Sequence, residues 1–334
     1  MTRPPAAVAT FGQLADLQAK MGHGIARFCE HIVAVIDAAH AGKRADQVVP
    51  YIGRPIPVVA GLDEACALGA EEVVLGGSPP GGGSTAAVFP FVRDVLDRGM
   101  WLVSGLHERL ADRFPSAERL IDLRHLPVED RIGSGKAAEL EASVLLTVGS
   151  DCASGKMTTV LEIERMLRGR RRTAVVATGQ TGMYITGSGR AVDAVKADFL
   201  AGVVEHEVMK AAEADLILVE GQGSLFHPAY SGVALGLMHG AAPDKLVFCH
   251  DLSRTRLAYF GQAIGDLGEQ IALTQALAAR LRPAEVVAVS VMFDADLRID
   301  EARRHMARIE SDLGLPVVSP RLGLEPLADR LVAR

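Results

Sequence analysis

Aromatic side chains are scarce, 4% of 334 residues with one Trp. A protein that stacks bases needs aromatic platforms, so that class is disfavoured. Positive charge is also in deficit: 35 Lys and Arg stand against 41 Asp and Glu, a net charge of −6. No overall basic field draws the chain to nucleic acid or an anionic membrane. The one short basic cluster, Arg170-Arg-Arg172, falls where a helix would end, a place that suits cations. Cys29, Cys66, Cys152 and Cys249 are the only cysteines and are far apart. Their spacing fits no zinc site, and free thiols point to a reducing cytoplasm. No apolar leader opens the chain and no uncharged apolar run reaches 18 residues, so neither a signal peptide nor a membrane span is expected.

What is present is a soluble, globular composition, 49% hydrophobic and 23% charged, long enough for two domains. One stretch organises it. Val144 to Val148 is an apolar run, followed by Gly149-Ser-Asp-Cys-Ala-Ser-Gly-Lys156, then by apolar residues at helical spacing to Leu167. Strand, glycine-lysine loop and helix form the layout of a phosphate-binding P-loop, in which backbone N–H groups and a helix N-terminus cradle an anion. The loop departs from the standard pattern twice. Ser150 stands where a glycine is usual, and Met157 stands where Ser or Thr would hold magnesium, with Thr158 and Thr159 displaced beyond it. Phosphate binding is therefore expected more strongly than nucleotide hydrolysis. The residues expected to hold the cofactor are Ser150, Asp151, Cys152, Ala153, Ser154, Gly155, Lys156, Met157, Thr158 and Thr159. Cys152 is a small loop residue near phosphate or, with its pKa lowered by the helix N-terminus, a nucleophile.

Ahead of the P-loop, apolar runs alternate with helical patterns from about residue 10 to 130. Met1–Ala9 reads as a tail, 11–28 as a helix ending near Gly22-His-Gly24, and Ile32–Ile36 as a first buried strand. The stretch 76–83 is rich in glycine and proline and follows a strand, so it is either a ligand loop or a plain turn. Gly133-Ser-Gly-Lys136 mimics a P-loop, but no apolar strand feeds it, and it reads as linker. The expectation is an α/β protein: a Rossmann-like N-terminal domain over 1–135, then a P-loop doubly wound, mostly parallel α/β domain over 136–334.

In the second domain, polar clusters fall at the ends of apolar strands, where a doubly wound sheet gathers its site. Glu220 ends Asp215–Val219, placed like a Walker B acid. It suits a magnesium ligand, a proton acceptor or a cap for the glycine loop behind it. Gln180, Thr181, Gln222 and Ser224 are neutral groups suited to orienting a polar ligand. His227, before Pro228, is an acid/base or a structural hydrogen bonder. Asp193 and Asp198 border the site or merely precede a helix.

These residues resemble two families. The loop 149–156 with Asp215-Leu-Ile-Leu-Val-Glu-Gly221 is locally similar to dethiobiotin synthetase. A broader resemblance runs through the Gly/Pro stretch, Ser104-Gly-Leu-His-Glu108, Lys156-Met-Thr-Thr159, Thr178-Gly-Gln-Thr-Gly182, Asp193, Asp198-Phe199, Glu220-Gly-Gln-Gly-Ser-Leu225 and His227-Pro-Ala-Tyr-Ser-Gly232. It spans nearly the whole chain. It points to a two-domain family long catalogued only as a domain of unknown function, with some members acting as D-glutamate N-acetyltransferases. What that resemblance implies is transfer of an acetyl group from acetyl-CoA to an amino acid. Lys156 and the loop amides would hold the CoA phosphates, and Glu220, His227 or Asp193 would take the amine proton. Gln180, Thr181, Gln222 and Ser224 would orient the substrate, with Arg190 or Arg254 gripping its carboxylate. No metal is required on this reading. The dethiobiotin synthetase resemblance implies instead ATP with magnesium and a ligase or kinase reaction. A nucleotide-sensing binding protein is a third possibility. A cytoplasmic homo-oligomer is expected.

Overall fold

The computed structural model describes residues 3–77, 86–294 and 297–332. Most of the Gly/Pro stretch, beyond Gly77, lies outside these residues. The chain divides into two compact units, residues 1–127 with 183–187, and residues 128–182 with 188–334.

The first unit is a six-stranded parallel sheet. Its strands are β1 (Ala6–Ala9), β2 (Ile32–Ile36), β3 (Val58–Val59), β4 (Glu72–Leu75), β5 (Trp101–Ser104) and β6 (Leu120–Asp122), in the order β3-β2-β1-β4-β5-β6. That is the strand order of dinucleotide-binding Rossmann folds, in which the chain reverses direction between β1 and β4. Helices α1 (Lys20–Phe28), α2 (Ala45–Val48), α3 (Leu62–Ala67) and α4 (Phe89–Asp97) connect the strands. Successive strand residues enter opposite cores: Ala6 and Val8 pack with Ile25, Val35 and Val74, while Ala7 and Ala9 pack with Ala34, Leu75, Val92 and Leu102. A parallel sheet covered on both faces requires this.

Two expectations for the N-terminal stretch are corrected by the fold. Residues 6–9 are no tail but a central strand, and α1 starts at Lys20 and runs through Gly22 and Gly24. Gly22 does not end the helix; it lets the helix approach β1 and β4. Its N–H donates to the Gly76 carbonyl at 3.0 Å, and a Cβ there would come within 3.0 Å of Thr10 and 3.1 Å of Val8.

The second unit is also a six-stranded parallel sheet. Its strands are β7 (Ser143–Gly149), β8 (Thr173–Val176), β9 (Leu216–Val219), β10 (Lys245–Asp251), β11 (Glu285–Met292) and β12 (Val317–Val318), in the order β12-β11-β10-β7-β9-β8. Strands β8 and β9 lie on one side of β7 and β10 to β12 on the other, so the chain reverses at β7. Open α/β sheets bind ligands at such points. The helices are α5 (Lys156–Leu167), α6 (Gln180–Thr186, of which residues 183–186 belong to the first unit), α7 (Ala197–Lys210), α8 (Ser231–Ala241), α9 (Leu267–Ala278), α10 (Ile299–Leu313) and α11 (Glu325–Val332). Val160, Ile163 and Leu167 of α5 cover Leu145, Leu216 and Val247 on one face, and α7 and α8 cover Val144, Leu146, Ile217 and Phe248 on the other. Helix α6 runs on past Tyr184 as far as Thr186. The look-alike loop at 133–136 is tied to α7. The buried Glu205 carboxylate accepts from the Ser134 N–H and hydroxyl and from the Ala137 N–H. No helix among the described residues is long and apolar enough to cross a membrane.

Candidate active site

The P-loop leaves β7 at Gly149 and enters α5 at Lys156. Gly149 has no room for a side chain, since a Cβ would collide with the Cys249 carbonyl and the Ser154 hydroxyl. Ala153 and Gly155 both take positive φ, +49° and +91°. Left-handed residues of this kind turn successive N–H groups inward to form an anion nest. Helix α5 has no side-chain cap and no acid in its first turn, so its positive end is unopposed. Lys156 is fully buried. Its ammonium donates to the Asp151 carbonyl at 2.6 Å and to the Ser154 hydroxyl at 3.1 Å, and burial pulls its pKa down against the attraction of Cys249, Cys152 and Asp151. A phosphate in the nest would supply the partner that desolvation calls for.

The two departures from the standard loop have visible partners. Ser150, where glycine is usual, hydrogen-bonds His250 Nδ1 through its hydroxyl at 2.9 Å. Burial, then the nearby Arg254 cation, pushes His250 down to about 4, so this histidine is neutral at pH 7. Beyond Met157, Thr159 turns toward the sheet and meets the Ser290 hydroxyl at 2.8 Å. Asp151 is committed as well. It accepts from Cys152 N at 2.7 Å, Ala258 N at 2.8 Å and Arg254 at 3.3 Å. The donors that suit phosphate converge at this loop.

Glu220 follows β9 and is fully buried. Its Oε2 accepts from the Thr178 N–H at 3.0 Å and the Gly179 N–H at 3.3 Å, and its Oε1 from Gln222 at 3.3 Å. Burial raises its pKa to about 7, with those two backbone N–H groups and the Lys156 charge working against the rise. Two glycines make room for it, because a Cβ on Gly179 or Gly182 would press on its carboxylate. Gln180 and Thr181 begin α6 right after these donors, half-buried. Arg190 stands beside them: its N–H donates to Ala177 and that of Val192 to Thr178, which lays this segment along the tip of β8. Ser224 is buried, its hydroxyl accepting from Phe226 N at 3.2 Å.

His227 is completely buried. Nδ1 accepts from the Ala229 N–H at 3.2 Å and Nε2 faces the Ala258 carbonyl at 3.0 Å, which assigns the proton to Nε2. Its ring stacks on Tyr230 at 4.6 Å and meets Phe260 edge-on at 5.0 Å. Asp151, Cys152 and His227 bring potential ligand atoms within 4.8 Å of one another, but the hydrogen bonds just described already occupy the histidine nitrogens and the carboxylate. Arg254 spans two carboxylates, Asp151 at 3.3 Å and Asp251 at 3.2 Å, and donates to the Cys152 carbonyl at 2.9 Å. Asp193 is exposed on a short 3-10 turn ahead of α7. Sequence reasoning overlooks Asp251, Ser290 and the Ala258 N–H. Two of these sit at strand positions with nothing to distinguish them, and the third is a backbone group.

A pocket runs from Gly149 past the Gly221–Leu225 loop to Leu237 and Met238 of α8. It gives the P-loop an apolar annex with Thr147, Gln222 and Ser224 at its edge.

A model described as the P-loop domain of a family of unknown function, DUF1611, matches residues 131–328, and its Rossmann-like N-terminal companion matches residues 38–125. The chain belongs to the DUF1611 family. It is 37% identical over 279 residues to a protein named D-glutamate N-acetyltransferase from a Pseudoalteromonas species, covering 80% of this chain and 83% of the relative. A second protein of that name, from Tritonibacter scottomollicae, is 36% identical over 81% of this chain and 84% of its own. A crystal structure of a DUF1611 family protein from Anabaena variabilis superposes with a TM-score of 0.91 at 33% identity, covering 98% of both chains. The Rossmann-like and P-loop architecture of this chain is therefore that of its family.

Proposed function

We propose that this DUF1611 member is an N-acetyltransferase that moves an acetyl group from acetyl-CoA to the amine of D-glutamate or a closely related amino acid. The observation that carries the reading is the pair of relatives named D-glutamate N-acetyltransferase, 37% and 36% identical over four-fifths of the chain. The site chemistry supports it. The nest at Ala153 and Gly155, the α5 N-terminus and Lys156 suit the phosphates of CoA. Met157 in place of the magnesium-binding hydroxyl, and the Arg254 and Ala258 contacts of Asp151, weigh against ATP with magnesium.

Of Glu220, His227 and Asp193, we assign the proton transfer to Glu220. Its carboxylate is buried and titrates at about 7, matched to accepting a proton from an ammonium at neutral pH. The freed amine nitrogen attacks the acetyl carbonyl carbon, the carbon–sulfur bond breaks, and the CoA sulfur leaves as thiolate and takes up the proton that the acylated nitrogen sheds, giving the amide and free CoA. Gln222, Gln180, Thr181 and Ser224 orient substrate and carbonyl oxygen, and Arg190 grips a substrate carboxylate. His227 and Arg254 shape the loop through Asp151. The reading includes a cytoplasmic location and a homo-oligomer.

Incubation with acetyl-CoA and D-glutamate is expected to release free thiol and form N-acetylglutamate, read by a thiol reagent and by mass spectrometry. No thiol release across a panel of D- and L-amino acids overturns the reading. Magnesium-dependent formation of ADP from ATP would replace it with the ligase reading.

A further inference from the structure

We infer that Tyr259, with Tyr230 and Phe260 beside it, is a stacking platform for the purine base of the nucleotide whose phosphates the P-loop holds. Aromatic side chains are few in this chain, 1 Trp, 4 Tyr and 10 Phe. Among the described residues five of them are exposed, and three of the five are Tyr230, Tyr259 and Phe260, at 37%, 73% and 40% exposure. Tyr259 and Phe260 lie at the tip of a hairpin that follows β10. The Ile264 N–H donates to the Thr255 carbonyl at 3.0 Å, that of Leu257 to the Gln262 carbonyl at 2.8 Å, and that of Phe260 closes the turn on the Leu257 carbonyl at 3.2 Å. Tyr230 is the residue before α8.

Three contacts hold the segment after β10 against the P-loop. The Ala258 N–H donates to Asp151 at 2.8 Å, the Ala258 carbonyl meets His227 Nε2 at 3.0 Å, and Arg254 donates to the Cys152 carbonyl at 2.9 Å. Around His227 the rings gather: Tyr230 stacks on it at 4.6 Å and Phe260 meets it edge-on at 5.0 Å. The rings therefore border the loop whose nest is made by Ala153 and Gly155. Tyr259 sharpens the point. Its φ is +66°, in the left-handed region that glycine favours. Packing gives no reason for a tyrosine there, because the ring is largely exposed and glycine would take the turn without strain. Backbone strain of this kind gathers at ligand sites. A ring turned out beside a phosphate nest matches the chemistry of a nucleotide, with phosphates in the nest and the π-face of the base on the ring. The identity of that nucleotide rests on the acetyltransferase reading, which makes it the 3′-phosphoadenosine end of CoA.

The full chain is titrated calorimetrically with adenosine 3′,5′-bisphosphate and, separately, with inorganic pyrophosphate, alongside Tyr259→Gly and Tyr259→Trp. Tyr259→Gly removes the ring and relieves the backbone, and thermal denaturation should show it to fold about as stably as the wild type. Its affinity for the bisphosphate should fall about fivefold to a hundredfold, with pyrophosphate binding unchanged. Tyr259→Trp should restore the affinity, and its indole fluorescence should be quenched by the bound base, with Trp101 in the unsubstituted protein as the reference. Equal affinity of the wild type and Tyr259→Gly for the bisphosphate overturns the inference, as does no binding of it at millimolar concentration. A loss that falls equally on pyrophosphate also overturns it, since Tyr259 would then support the loop and not a base. The thiol-release assay on the wild type runs independently of these titrations. Its failure overturns the acetyltransferase reading, whereas an affinity indifferent to the ring overturns only the platform.

Discussion

Replacing Glu220 by Gln tests the assigned base and its environment together. The change keeps the shape and leaves an oxygen to accept from Thr178 and Gly179. It removes the charge that burial penalises. The carboxyl moves from 4.5 to about 7 on folding, and at roughly 1.4 kcal/mol per pH unit this amounts to about 3 kcal/mol. The folded state binds the proton more tightly than the unfolded chain, so Glu220 lowers stability as pH rises from 4.5 to 7, and the full loss is present above 7. Chemical denaturation at pH 5 and pH 8 is therefore expected to show the wild type losing up to about 3 kcal/mol more than Glu220→Gln over that interval.

Catalysis has the opposite sign. The base works only when ionised, so kcat/KM of the wild type should fall about tenfold per pH unit below 7. Glu220→Gln should lower kcat by roughly a hundredfold to ten-thousandfold and abolish that acidic limb. The kcat profile adds a geometric check. Lys156 already influences Glu220, so phosphates bound at the P-loop would add negative charge nearby. One charge at about 8 Å, with an effective dielectric of about 20, contributes about 2 kcal/mol. The limb in kcat should therefore lie about one and a half pH units above the limb in kcat/KM. An acidic limb that persists in Glu220→Gln refutes the assignment. A kcat limb that does not rise removes the phosphates from the neighbourhood of Glu220.

The other predictions concern the walls of the same site. Lys156→Ala removes the buried ammonium from the nest and should raise KM for acetyl-CoA about tenfold or more, the size of a lost charge-assisted hydrogen bond; because the Lys156 charge holds the Glu220 pKa down, the acidic limb should also move to higher pH, and an unchanged KM in steady-state assays would contradict the phosphate role. Gly182→Ala pushes a methyl group against the Glu220 carboxylate and should lower kcat with little change in KM for acetyl-CoA. Unchanged kcat in steady-state assays would show that Glu220 need not hold its position.

The legible parts of this molecule are those whose signal is local. The P-loop is readable because glycine, lysine, an apolar strand and a helical pattern fall within some twenty residues. Glu220 is readable because four apolar residues point to a strand tip. Ala6–Ala9 is not readable as a strand: its side chains are too small and too few to show a period, and it takes its central place only by pairing with Ile32–Ile36 and Glu72–Leu75. Gly22 looks like a helix terminator because its reason for being glycine, the backbone of Gly76, lies 54 positions away. Likewise Arg254 suggests a substrate clamp, since sequence does not reveal that it lies between Asp151 and Asp251.

These long-range partners also bear on what the P-loop is for. An aspartate inside a phosphate nest ought to repel the ligand. Asp151 is kept from doing so, because Arg254 offsets its charge and the Cys152 and Ala258 N–H groups occupy its oxygens. Its negative charge then serves to tie the loop to the segment after β10. Thr159 is drawn the same way, toward Ser290 of β11. Asp151 and Thr159 thus fix the loop from the side of β10 and β11, while Lys156 and the unopposed end of α5 supply positive charge to the nest. On the proposed acetyltransferase reading, such a loop loses little by carrying Met157 in place of a hydroxyl, because holding CoA phosphates requires no phosphoryl transfer. The same division explains why Glu220 sits buried with a pKa near neutrality. Freed from metal ligation, a Walker-type acid is available for proton transfer.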